Sequence, residues 1–314
     1  MMLFSLFLLF FGISFPLIFA GYIIVRSRKL LGVGFFRKSF WFGVFLPMAY
    51  LVLMITLHKL LPDIYNSLNI LNTDTILISS HHIVNIVIFL ILALIPGWLI
   101  GAISIFRSSR EGCSALMTYI ATSIFFLVLV VLLLPILHNT HIFISSIALG
   151  SIIVTFLNAL SEESNKVIFA RIIGGDSVVG IVLGGIIIAL GFAFCENIFY
   201  ALITYSQNSS LVQVGNLLFV RTFFSLGIHM VSMFLALGFF FDIPKKLYFF
   251  HPRLVLGFLC AIVFHTLSNI FLESENSFFF LLLGIILFFG ISFGLYRLEK
   301  ILEQKSDSIG QATL

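Results

Sequence analysis

Charge is what this sequence has least of. Only 10% of its 314 residues are Asp, Glu, Lys or Arg, against 61% apolar residues and a mean hydropathy of +1.19. Soluble domains carry about 25% charged residues, so this chain cannot cover a water-facing surface and must be solvated by lipid. Cysteine is rare too. Cys113, Cys195 and Cys260, two of them inside long apolar runs, supply neither a disulfide framework nor the paired spacing of a structural zinc site. No basic residue precedes the first apolar run, which is about twice as long as a signal peptide's apolar stretch and so reads as a retained span. Internal repeats and low-complexity linkers are missing too, and one integral membrane domain with no nucleic-acid partner is the simplest expectation.

What is present is length of apolar sequence. A helix crossing the ~30 Å hydrocarbon layer needs roughly 20 apolar residues. Nine runs qualify: 2–25, 40–57, 83–106, 115–137, 142–160 with a continuation to 172, 177–203, 217–241, 254–272 and 277–296. The expected fold is therefore an all-α polytopic membrane helix bundle. Basic residues orient it, because short loops rich in Lys and Arg stay in the cytoplasm. Arg26, Arg28, Lys29, Arg37 and Lys38 mark the first loop as inner, which places the N-terminus outside. Counting on from there, only Lys59 and Arg221 of the 17 basic residues fall on the outer side. That lopsided split fits nine spans, N-out and C-in. Outer loops are expected at 59–81, 138–141, 204–215 and 273–277, and a short polar cytoplasmic tail after Arg297.

Ionisable groups inside the apolar zone cost roughly 2.5–3.5 kcal/mol each on insertion scales and mark function by default. They fall in the second half of the chain. Ser161-Glu162-Glu163-Ser164-Asn165-Lys166 lies in the long helix that begins near residue 142. Glu162 and Lys166 stand four apart, an order that favours an ion pair, although a solvated helix end at the inner surface explains the cluster equally well. Glu196 lies in Gly191-Phe192-Ala193-Phe194-Cys195-Glu196-Asn197, flanked by apolar residues, with Tyr200 one turn along the same face. Such a carboxylate needs a partner or a proton. His229 and His265 follow on two further helices, and His265 shares a face with Asn269. A lone membrane histidine is most often a satisfied core residue, but these two lie at similar depth, each about 12 Å from an outer-side charge at ~1.5 Å per residue. An inner charge is about 18–20 Å away from each, so a cavity they share is expected to open outward. His81, His82, His138 and His141 flank outer loops and read as surface residues.

The order of these pieces resembles the PrsW family of intramembrane proteases, relatives of the CAAX prenyl endopeptidases. Its Glu-Glu-x-x-Lys motif is matched by Glu162, Glu163 and Lys166. Its Gly-Phe-Ala-x-x-Glu-Asn-x-x-Tyr motif is matched by Gly191, Phe192, Ala193, Glu196, Asn197 and Tyr200. Arg221 and His229 match Arg-x7-His, and His265 with Asn269 matches His-x3-Asp/Asn. Each motif is weak alone; four in order are specific. The resemblance covers about 155–272, and the family's Asp-Gly entry to the glycine-rich helix is only loosely echoed by Asp176, Gly180, Gly184 and Gly185. It implies three regions: an N-terminal four-helix region (1–141), a catalytic helix core (142–272), and a last span with its tail (273–314). One geometric tension follows. Straight helices running from Asp176 would set Glu162 about 21 Å deep and Glu196 about 30 Å deep, a mismatch near 9 Å at ~1.5 Å per residue.

Peptide hydrolysis needs an activated water, oxyanion donors and a proton for the leaving amine. The expected catalytic set is Glu162, Glu163, Glu196, His229, His265 and Asn269. Glu162 or Glu163 is the base, Glu196 or His229 shares the water, and His265 and Asn269 donate to the oxyanion. An alternative puts a divalent metal such as zinc between His229, His265 and Glu196. No His-Glu-x-x-His pair is present, and the related CAAX enzymes work through glutamate and histidine without an obligatory metal. Two rival functions use the same residues: a non-catalytic scaffold, as in a presenilin-complex subunit of the wider superfamily, and a proton-coupled carrier. Carriers show polar sites in two related halves, whereas here they lie in one. The resemblance implies a membrane-anchored protein or peptide substrate, such as an anti-sigma factor, and a bacterial cytoplasmic membrane.

Overall fold

The computed structural model describes residues 14–25, 33–60, 146–175, 177–206, 210–238, 252–273 and 277–312. Every regular element among them is a helix: α1 (Ser14–Val25), α2 (Val33–Leu60), α3 (Ser146–Gly174), α4 (Val178–Ser206), α5 (Leu211–Ala236), α6 (Pro252–Glu273) and α7 (Ser277–Ala312). Four stretches are long and apolar enough to cross a membrane: Val178–Leu202, Leu211–Ala236, Pro252–Leu272 and Phe278–Glu303. The expected spans at 83–106 and 115–137, like Cys113, Asp176 and the histidines at 81, 82, 138 and 141, lie outside the described residues.

The glycine-rich run becomes the central helix. Every residue of α4 from Val179 to Ala193 is buried, as a helix apolar all round must be, and α4 packs against α2, α3 and α5. Glycines permit the closest of these approaches. A Cβ on Gly191 would collide with the Phe40 carbonyl oxygen, and one on Gly43 with the Ile188 carbonyl, so α2 and α4 touch backbone to backbone. Gly175, at φ 56°, closes α3 with its N–H on the Arg171 carbonyl (3.0 Å) and lets α4 begin three residues later.

Three expectations are corrected. The polar cluster of α3 is not a solvated helix end, because Glu163 and Lys166 are fully buried and Arg171 nearly so. The outer loop expected at 204–215 is shorter, because α4 runs to Ser206 and α5 starts at Leu211. A capping box makes that start: Gln213 N–H donates to Ser210 Oγ (3.3 Å) and Ser210 N–H to the Gln213 side chain (2.7 Å). Finally, the polar tail after Arg297 is helical to Ala312. Leu295, Leu298 and Leu302 recur at helical spacing against the core, while Glu299 and Lys300 stay exposed.

Candidate active site

Two adjacent glutamates of α3 face different ways, since neighbouring helix positions lie about 100° apart. Glu163 points inward. Its Oε1 accepts from Lys166 Nζ of α3 (2.5 Å), Ser232 Oγ of α5 (3.0 Å) and His265 Nδ1 of α6 (2.6 Å). The expected partner of Lys166 was Glu162; the observed one is Glu163, three residues back. A fully buried ammonium without a counter-charge would be strongly destabilising, and among the described residues the only carboxylate buried with it is Glu163. Glu162 instead faces a cavity, where its Oε2 lies 3.6 Å from His265 Nε2.

α4 and α5 build the opposite wall. Glu196 Oε2 accepts from Arg221 Nη2 (2.9 Å), His229 Nε2 (3.1 Å) and Ser225 Oγ (3.3 Å). Arg221 Cζ also sits over the Tyr200 ring, 3.5 Å from its centroid, a cation–π contact that helps hold the guanidinium. The His229 and His265 rings stand edge to face at 5.3 Å. The expected depth mismatch between Glu162 and Glu196 is thereby taken up without the carboxylates meeting. Each reaches its own histidine, and the two imidazoles bridge the offset.

Five of the six expected site residues, Glu162, Glu196, His229, His265 and Asn269, line one cavity of about 480 Å³, and Glu163 lies behind it. A carboxylate and an imidazole face each other there with room for a water in reach of both, beside side-chain donors for a developing oxyanion. That constellation suits hydrolysis. The model of the PrsW family of intramembrane metalloproteases matches residues 111–295, more than half of the chain. The chain belongs to the PrsW family. It is accordingly an integral membrane protein and a protease, and the whole cavity falls within the family match. No curated protein and no solved structure gives a match.

A metal is part of the family's description, and the donors can be tested for it. Glu162, His229 and His265 each offer an atom within 4.8 Å of the other two. Glu162 Oε2 is buried with no hydrogen-bond partner among the described residues, and His265 Nε2 faces it. Those two atoms fit a divalent cation. His229 differs, since both its nitrogens are already engaged, Nδ1 by Lys166 Nζ (3.0 Å) and Nε2 by Glu196. Glu196, the carboxylate expected in a metal set, is held by three donors instead.

Sequence reasoning missed Ser225 and Ser232 of this PrsW site. Arg221, Ser225, His229 and Ser232 follow one another at intervals of four, four and three, a single face of α5, and that spacing was the available signal.

Proposed function

We propose that this PrsW chain hydrolyses a peptide bond of a membrane-anchored protein or peptide, with Glu162 as the general base. The observation that carries this reading is the pair Glu162 Oε2 and His265 Nε2, 3.6 Å apart on the cavity wall. Glu163 accepts the Nδ1–H of His265, which leaves Nε2 bare and able to accept from a water that Glu162 deprotonates. The hydroxide attacks the scissile carbonyl, Asn269 donates to the oxyanion, and Glu162 returns the proton to the leaving amine. A bare Nε2 cannot donate, so His265 positions the water in this scheme and not the oxyanion. A positioned general base contributes on the order of 10²–10⁴-fold.

A metal-dependent variant uses the same wall. Glu162 and His265 would hold the ion, which when bound supplies a Lewis acid and a more acidic water. Their free, facing donor atoms favour this as the second reading.

Several features support a substrate that arrives through the membrane. An apolar groove of about 550 Å³ between α5 and α7 borders the cavity, and the two share Val220, Phe224 and Phe280. In the proposed nine-span, N-out and C-in arrangement the cavity-lining Tyr200 and Arg221 stand toward the outer ends of their helices, in keeping with an outward-opening site. An anti-sigma factor in a bacterial cytoplasmic membrane has the required form. The test is to compare membrane proteomes of cells with and without the chain, then incubate the purified chain in liposomes with each protein lost. Mass spectrometry is expected to find new termini in or beside a membrane span, with one oxygen from labelled water in the new carboxylate. Candidate proteins that all stay intact with the parent, or are cut equally by Glu162→Gln, would contradict the proposal.

A further inference from the structure

Lys166 is fully buried, matched by the family motif, and not used in the hydrolytic scheme above. Its ammonium has three neighbours: Glu163 Oε1 (2.5 Å), His229 Nδ1 (3.0 Å) and the Phe192 ring, whose centroid lies 5.2 Å away. An ammonium has no lone pair, so at the imidazole it can only donate. His229 Nδ1 must then be the acceptor, and the ring's proton must sit on Nε2. The opposite end of the ring gives the same answer independently. Glu196 Oε2 already accepts from Arg221 and Ser225, and a carboxylate oxygen facing Nε2 at 3.1 Å calls for an N–H there.

A neutral amine at Lys166 would reverse the tautomer by accepting an Nδ1–H. The charges around it oppose this. Glu163 has no exposed surface, and Lys166 is the cation in hydrogen-bond contact with it, the other two donors being a hydroxyl and an imidazole. Without the ammonium's charge, Glu163 would keep its two neutral donors but have no counter-charge in the interior.

We infer that Lys166 is a positioning residue that holds His229 as an Nε2–H donor and so keeps it out of any metal-ligand set. Glu163 and Lys166 together set the two cavity histidines in opposite forms: His265 presents a bare Nε2, His229 an Nε2–H. The three groups brought together by proximity thus divide by chemistry. Glu162 and His265 are the basic or ligating pair; His229 gives its one N–H to Glu196 and so fixes that carboxylate on the opposite wall. This takes the cavity to be the proposed hydrolytic site, but its tests read hydrogen bonding and metal affinity, so they can fail while cleavage stands.

The full chain, purified in detergent with ¹⁵N-labelled histidine, provides the first test. Loss of resonances in His229→Gln and His265→Gln assigns the rings. The expected result is a protonated Nε2 for His229, retained in Lys166→Arg, and a protonated Nδ1 for His265. A protonated Nδ1 on His229 in the parent chain would overturn the inference. The second test titrates Co²⁺ into parent and Lys166→Met. Freed of its donor, His229 can turn Nε2 to the metal, so Co²⁺ affinity should rise about tenfold or more, the scale on which outer partners tune metal sites. Adding His229→Gln should abolish the gain. No gain in a folded Lys166→Met, or a parent affinity weakened as much by His229→Gln as by His265→Gln, would overturn it. Should Lys166→Met not fold, the ¹⁵N result on the parent decides.

Discussion

The site has two carboxylate centres that look alike in chemistry and differ in placement. Glu163 Oε1 and Glu196 Oε2 each accept from three donors. The donors of Glu163 come from α3, α5 and α6, and the carboxylate has no exposed surface. Those of Glu196 all come from α5, and its side chain is 19% exposed beside the cavity. The closed centre ties three helices together and fixes two histidines; the open one joins α4 to α5 at the cavity wall. Equal numbers of hydrogen bonds therefore serve different ends, and burial decides which. An interior charge that loses its partner has nowhere to find water, whereas one at a cavity wall does.

Removing each centre should break the symmetry. Glu163→Ala leaves Lys166 buried without its counter-charge and frees His265 Nδ1–H, so stability should fall by about 3–5 kcal/mol. Denaturant unfolding of the purified chain in detergent measures this, and a variant as stable as the parent would show that α3 is not held through Glu163. Glu196→Gln keeps the shape and an acceptor oxygen at a wall that water can reach, so it should cost far less stability than Glu163→Ala. The expected result is cleavage about tenfold slower with unfolding close to the parent's. A stability loss as large as that of Glu163→Ala would erase the distinction between the two centres. The smallest effect sharpens the comparison without removing anything. In a background lacking Cys113, Cys195 and Cys260, a thiol placed at Ser225 should react with a membrane-impermeant reagent on intact cells, and one at Ser232 should not. Labelling of Ser225→Cys only in inverted vesicles would reverse the proposed outward opening.

Much of this was legible because burying ionisable groups in lipid leaves a sharp mark. Glu162, Glu163, Glu196, His229 and His265 stand out against apolar runs, and the long runs around them fold as helices. What the residues could not reveal was pairing across helices. Lys166 stands at helical spacing from both Glu162 and Glu163, and only the direction of burial selects Glu163. The serines were silent for a related reason. Ser225 and Ser232 are ordinary helix residues until a carboxylate from another helix is set opposite them. Boundaries failed where polar residues do helical work, at the Ser210–Gln213 capping box and in the tail beyond Arg297, because polarity alone reads as loop.

The contrast between the neighbours Glu162 and Glu163 is the centre of the account, and cleavage and unfolding measured together on Glu162→Gln test it most directly. The account predicts a chain that unfolds like the parent and cleaves a verified substrate slower by on the order of 10²–10⁴-fold. A folded Glu162→Gln that cleaves at the parent's rate would contradict it.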